Sequence, residues 1–320
     1  MSKTKNNTLK WRHHDLLDLQ DLTKEEIELI LERAKSFKEV STRDIKKVPA
    51  LRGKTVVMLF CEPSTRTRMS FELAAKRLSA DTVNIATSSS SLTKGESILD
   101  MAKNIEAMNV DLIIVRHACG GVPHTLAKAL EPSVVNGGDG CRSHPTQALL
   151  DMFTIQERLG RLEGLNVSIV GDILHSRVAR SNIWGLTKLG AHVTLCGPST
   201  MMPVDIEKMG VRVTYDIHDV LKDSDVIMML RLQKERQQEK FLPSIREYAR
   251  VFGLDQEKLK LAKKDVLIMH PGPTNRGVEI SADVADGKYS VILEQVTNGV
   301  AVRMAVLFLL LTERTEPAIE

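Results

Sequence analysis

The feature that most limits how this chain can fold is the alternation of short, almost wholly apolar runs with helical patterns along nearly its entire length. TVVMLF (55–60), TVNIA (82–86), LIIV (112–115) and SVVN (133–136) are the strand-length runs of the first half. NVSIVGD (166–172), HVTLC (192–196), VRVTY (211–215), DVIMML (225–230) and DVLIM (265–269) form a second set. Strands without polar alternation need apolar cover on both faces, which a parallel sheet between layers of helices provides. Phe71, Ala74, Ala75 and Leu78 repeat at helical spacing within 65–79, and Ile98, Met101, Ala102, Ile105 and Met108 mark an amphipathic helix over 96–109. Another helix falls near 122–130, and the run NGGDG (136–140) leads into a long helix over 144–159 with Pro145 in its first turn. The pattern predicts an α/β protein of two domains, each a parallel β-sheet flanked by helices on both faces. The first spans 1–147, with a C-terminal helix (295–320) packing back on it, and the second spans 148–294.

Charge and composition narrow the class. With 44 Lys and Arg against 41 Asp and Glu, interspersed throughout, the net charge of +3 offers no concentrated basic surface for nucleic acid. The N-terminal residues lack the apolar stretch of a signal peptide. The most apolar segment, Val300 to Leu311, contains Arg303 and falls short of the ~20 residues that cross a bilayer, so it predicts a buried helix and no membrane partner. Cys61, Cys119, Cys141 and Cys196 lie far apart without a CxxC pair, which predicts neither a zinc site nor a disulfide framework and suits reduced thiols in a cytoplasmic protein.

In such sheets ligands bind beyond the carboxyl ends of the strands. The first strand ends in CEPSTRTR. Ser64 is a natural helix N-cap, with Thr65, Arg66 and Thr67 in the first turn. A helix start presents unpaired N–H groups and the positive end of the macrodipole, and two hydroxyls and a guanidinium add directed donors for an anion. A capped helix with solvated arginines is the plainer reading, but strand, Ser-Thr-Arg-Thr-Arg and helix in that order is more specific than a cap. The run Ser64 to Arg68 resembles the carbamoyl-phosphate motif of the aspartate/ornithine carbamoyltransferase family, whose turn holds the phosphate and carbonyl of that substrate. Three more segments resemble the family in its own order: Arg116 at the end of LIIVRH, His144-Pro145-Thr146-Gln147, and His270-Pro271-Gly272-Pro273.

The resemblance carries further expectations. Arg116 would reach the carbonyl oxygen and the phosphate, His144 and Gln147 would meet the carbamoyl end, and the loop at Gly272 and Pro273 would face the carbamoyl nitrogen. Arg177, in GDILHSR, and Arg231 with Gln233, in RLQKER, resemble aspartate-specific members, where they hold the acceptor's carboxylates; the HPCQ and HCLP features of ornithine enzymes are absent. Lys94 and a serine near Ser91 would enter a neighbouring subunit's site, with the four-serine run leaving the serine's register open. The implied protein is a homotrimer with shared sites, using no cofactor and no metal. It would carbamoylate L-aspartate in the committed step of pyrimidine synthesis, with a regulatory chain or a dihydroorotase as further partners. Thr67, Arg116 and His144 would donate to the carbonyl oxygen, and Ser64, Thr65, Arg66 and Lys94 would hold the phosphate. His144 is expected to donate a hydrogen bond rather than act as a base. Cations on both domains would offset the repulsion of two anions, with closure around the substrates. The competing readings are transfer to another amine such as ornithine and a non-catalytic anion-binding scaffold. A nucleotide-dependent dehydrogenase is disfavoured because no GxGxxG follows any strand.

Overall fold

The computed structural model describes residues 11–86, 96–233 and 241–313. Two compact units emerge. Unit 1 comprises the chain up to Leu17, Asp21–Gly137 and the chain from Val300, and unit 2 comprises Asp18–Gln20 and Gly138–Gly299.

Unit 1 opens with α1 (Lys24–Thr42), which starts on a capping box: Thr23 accepts from the Glu26 N–H while the Glu26 carboxylate accepts from the Thr23 N–H. Then follow β1 (Thr55–Phe60), α2 (Thr65–Arg77), β2 (Asp81–Ala86), α3 (Ile98–Glu106), β3 (Leu112–His117), α4 (Val122–Ala127) and β4 (Ser133–Asp139). The strands lie in the order β2-β1-β3-β4, and β1 pairs in parallel with both neighbours. Val57, Leu59, Ile113 and Val115 pack with Met101, Ala102 and Ile105 of α3 and Leu126 of α4. Continuous burial of β1 and β3 is why those segments carry no polar alternation.

Unit 2 continues with α5 (Pro145–Leu159), β5 (Asn166–Val170), α6 (Arg177–Lys188), β6 (His192–Cys196), β7 (Arg212–Thr214), α7 (His218–Leu221), β8 (Val226–Met229), α8 (Ile245–Phe252), α9 (Gln256–Leu259), β9 (Leu267–Met269) and α10 (Ala282–Ala285). Its five strands run in the order β7-β6-β5-β8-β9, all registered pairs being parallel. Finally α11 (Ile292–Thr312) carries the chain from unit 2 into unit 1. By length and composition α11 is long and apolar enough to cross a membrane, yet 67% of its apolar window is buried inside the protein. Its Arg303 is buried too, donating to Ser70 Oγ at 2.8 Å with the guanidinium 4.9 Å from the Phe71 ring centre. It is a core helix that clamps α2.

All nine expected strands are present, with ends that shift by a few residues. The largest shift is at β4, which runs on to Asp139, into the glycines, where the expected strand stopped at Asn136. Gly137 serves the strand pairing instead: a Cβ there would sit 3.3 Å from both Ile114 Cγ2 and the Val115 carbonyl of β3. A similar close approach shapes the end of β5. Gly171 (φ +133°) leaves no room for a side chain between Leu230 and the Tyr248 hydroxyl, and a Cβ on Gly197 would collide with the Gly171 carbonyl.

Both sheets reverse their strand order beside the first strand laid down. In unit 1 the reversal falls between β1 and β3, and in unit 2 between β5 and β8. Such a switch point opens a crevice at the carboxyl ends of the strands, because the following loops leave in opposite directions.

Candidate active site

At the switch point of unit 1, Phe60 and Arg116 are register partners, and the Cys61 N–H donates to the Arg116 carbonyl at 2.8 Å. The loop after β1 and the last residues of β3 are therefore neighbours. Ser64 occupies the N-cap position of α2, but its hydroxyl makes no capping bond, contrary to the expected cap. The Arg68 N–H begins the helix by donating to the Ser64 carbonyl at 3.2 Å, so Thr65, Arg66 and Thr67 form the open first turn of the helix. Thr65 and Arg66 are exposed while Thr67 is buried. Arg116, itself nearly buried, donates from Nη1 to the Gly137 carbonyl at 3.1 Å and from Nη2 to Glu62 Oε1 at 2.9 Å. Glu62 is a residue that the sequence patterns did not single out. It sits inside CEPSTRTR, and its carboxylate braces the Arg116 guanidinium.

The half-buried Cys61 thiol also adjoins the cradle, and burial pushes it up to about 11, while burial, reinforced by Asp216 and Asp219, pushes Cys196 to about 12. Both stay protonated near neutral pH and are poor nucleophiles. Thiol reagent at a pH of about 8 should therefore label the exposed Cys119 well before Cys61 or Cys196, as peptide mapping would reveal. Equal labelling of Cys61 would contradict its protected state.

The crevice of unit 2 gathers the second set. Arg177 is the first residue of α6, buried to 4% exposure, behind the N-cap Ser176 whose side chain accepts from the Ala179 N–H. Leu230 donates to the Val170 carbonyl at 2.8 Å, which aligns the chain from Arg231 to Gln233 beside the loop leaving β5. Asp172, fully buried, ties the two segments together: it accepts from His175 Nδ1 at 2.8 Å and from the Gln233 N–H at 3.3 Å. The sequence patterns placed no role on Asp172.

His144 is the N-cap residue of α5, with its N–H donating to Ser181 Oγ at 2.8 Å, and Gln147 stands one turn on. His270, following β9, is buried at 1% exposure. Its Nε2 lies 3.1 Å from Glu279 Oε1 and its Nδ1 accepts from the Gly272 N–H at 2.8 Å, which fixes the turn containing the cis Gly272–Pro273 bond. Lys94 and Ser91 lie outside the described residues. Among the described residues, no cluster of three or more His, Cys, Asp or Glu is placed to hold a metal ion.

Each unit thus carries, at a sheet's switch point, an array of donors suited to small anions, with no nucleophile–base pairing among these residues. The chain belongs to the aspartate/ornithine carbamoyltransferase family: residues 14–157 match its carbamoyl-P binding domain and residues 163–310 its Asp/Orn binding domain. Within that family it is similar to the aspartate carbamoyltransferase catalytic subunits of Syntrophus aciditrophicus, 61% identical over 94% of this chain and 98% of the relative, and of Heliobacterium modesticaldum, 60% identical over 95% and 97%. Among solved structures, aspartate transcarbamoylase from Trypanosoma cruzi in complex with N-(phosphonacetyl)-L-aspartic acid superposes with a TM-score of 0.85 at 29% identity, covering 94% of this chain and 96% of that one. Ornithine carbamoyltransferase from Pyrococcus furiosus also reaches 0.85, at 34% identity over 96% and 100%. Backbone shape alone therefore does not separate the two acceptors.

Proposed function

We propose that this chain transfers the carbamoyl group of carbamoyl phosphate to the amino group of L-aspartate, giving N-carbamoyl-L-aspartate and phosphate at the start of pyrimidine synthesis. The observation that carries the reading is the unit 2 crevice, where buried Arg177 starts α6 and Asp172, in the loop before it, accepts from the Gln233 N–H of the segment that also bears Arg231. Guanidinium groups suit an acceptor with two carboxylates, whereas the extra ammonium of ornithine would be repelled. In this reading residues 1–147 with the C-terminal helix hold carbamoyl phosphate and residues 148–294 hold aspartate.

The chemistry needs no covalent enzyme intermediate. The neutral amine attacks the carbonyl carbon, a C–N bond forms, and negative charge collects on the carbonyl oxygen. The C–O bond to the phosphate then breaks, and the leaving phosphate, with a second pKa near ~6, takes the amine proton. Thr67, Arg116 and His144 stabilise the oxyanion, while Ser64, Thr65, Arg66 and the α2 N-terminus hold the phosphate as its charge grows. Gln147 and the loop at Gly272 and Pro273 meet the carbamoyl amine. Lys94, with Ser91 or a neighbouring serine, completes the site of an adjacent subunit in a homotrimer. The reaction runs in the cytoplasm, alone or beside a regulatory chain or a dihydroorotase.

The deciding experiment offers the purified chain carbamoyl phosphate with aspartate and, separately, with ornithine. Product from aspartate alone is expected; turnover with ornithine, or with neither, would sink the reading. Shared sites have their own check. Lys94→Ala and Arg66→Ala chains, each inactive, should regain part of the wild-type rate when co-assembled, and a mixture as inactive as its components would refute sharing.

A further inference from the structure

One buried carboxylate stands at the centre of the carbamoyl-binding end without belonging to any motif. Asp151, on α5 and fully buried, accepts three side-chain amides. Its Oδ1 takes Gln147 Nε2 at 2.9 Å and Gln295 Nε2 at 2.7 Å, and its Oδ2 takes Asn182 Nδ2 at 2.8 Å. Gln295 Oε1 in turn accepts from the His270 N–H at 3.0 Å. An ionised carboxylate only accepts, so every amide facing it must turn its NH2 inward and its oxygen away. For Gln295 both ends agree: nitrogen to Asp151, oxygen to a backbone N–H. For Gln147 the consequence concerns substrate, because the end directed away from Asp151 is the carbonyl oxygen.

We propose that Asp151 is a positioning residue that fixes Gln147 with its oxygen toward the substrate and, through Gln295, steadies the 270–273 loop, so that the site selects the –NH2 of a carbamoyl phosphate against acyl phosphates that lack it. The inference rests on the function proposed above and adds what sets the polarity of the site. A free glutamine amide presents its donor or its acceptor with nearly equal ease, and a donor would oppose the carbamoyl amine. With Asp151 behind it, only the acceptor faces forward. Burying a charge in this way is costly unless donors surround it, and three amides do so here.

Acetyl phosphate, with a methyl in place of the amine, is the probe. Transfer to aspartate from carbamoyl and from acetyl phosphate is measured for the wild type, Asp151→Asn, Gln147→Leu, Gln147→Glu and the pair Asp151→Asn with Gln147→Glu. Asparagine at 151 sets its NH2 either against the two glutamines or, with its oxygen kept toward them, against Asn182, so the cluster loses an acceptor in either orientation; kcat/KM for carbamoyl phosphate should fall about tenfold or more while that for acetyl phosphate changes by less than about threefold. Glutamate at 147 would put two carboxylates face to face, so Gln147→Glu should perform worse than Gln147→Leu with carbamoyl phosphate. Adding Asp151→Asn should restore part of that loss, because asparagine can donate to the new carboxylate. Equal losses with both donors in Asp151→Asn would overturn the proposal, since general loosening of the site does that. So would Gln147→Glu matching or exceeding Gln147→Leu, a comparison that stands even if Asp151→Asn fails to fold. A wild-type chain unable to use carbamoyl phosphate would instead bring down the underlying function, and the inference with it.

Discussion

Replacing Arg116 with alanine should lower kcat about a thousandfold, with both substrates saturating. Removing one well-placed oxyanion donor typically costs ~10²–10³ in rate, and Arg116 is expected to serve the carbonyl oxygen and the phosphate together. Its value lies in being held in place. The guanidinium is fixed between the Gly137 carbonyl and Glu62 and does not have to be ordered as charge develops. Glu62→Gln should therefore act through Arg116, lowering kcat by roughly tenfold while sparing carbamoyl-phosphate binding, since it weakens the brace without removing the donor. Steady-state kinetics with matched melting curves would distinguish these from misfolding. An Arg116→Ala enzyme within tenfold of wild-type kcat would mean that the oxyanion is stabilised elsewhere.

The second large effect concerns the acceptor. Arg177→Ala is expected to raise the KM for aspartate about a hundredfold or more, while inorganic phosphate, measured by calorimetry, should bind as before. Loss of a buried, charge-assisted contact removes binding that both ground and transition states share, so KM should move further than kcat. Arg177→Lys should fall between the two, because an ammonium keeps the charge but lacks the fork that grips a carboxylate through two parallel bonds. If aspartate KM were unchanged, the acceptor would lie elsewhere and the buried Arg177 would be a brace for α6.

What could be read from the sequence follows a physical divide. Strands in parallel sheets announce themselves because burial on both faces demands uninterrupted apolar runs; TVVMLF became β1 residue for residue. Helix α1 was not read although its signals were local, the Thr23–Glu26 capping box and buried Ile27, Ile30, Leu31 and Ala34 at helical spacing. The end of β4 was set too early: Gly137 lacks the apolar side chain that marks the other strands, because its missing side chain serves close packing on β3. At the site, the groups expected to touch substrate were picked from strand ends and helix starts, where chain direction fixes position. Glu62, Asp172, Asp151 and Glu279 were not. Each has at least one partner beyond its own turn: Glu62 has Arg116, 54 residues away, Asp172 has Gln233, 61 away, and Asp151 has Gln295, 144 away, while Glu279 meets His270 across nine. No local spacing encodes such pairs.

The path of the chain through its two units sets the order in which the protein can be made. The strands of the first sheet leave the ribosome early, but the helix whose Arg303 covers Phe71 and whose Phe308 meets Phe37 at 5.4 Å is encoded after the whole of Gly138–Gly299. At about 5–20 residues per second, on the order of ten to thirty seconds of elongation separate the two. During that interval the nascent first unit holds apolar helix faces with nothing to cover them, whereas the second, made almost wholly in one run, can close its core as that run ends. A chaperone acting on this protein during translation would find its substrate in the half that was synthesised first.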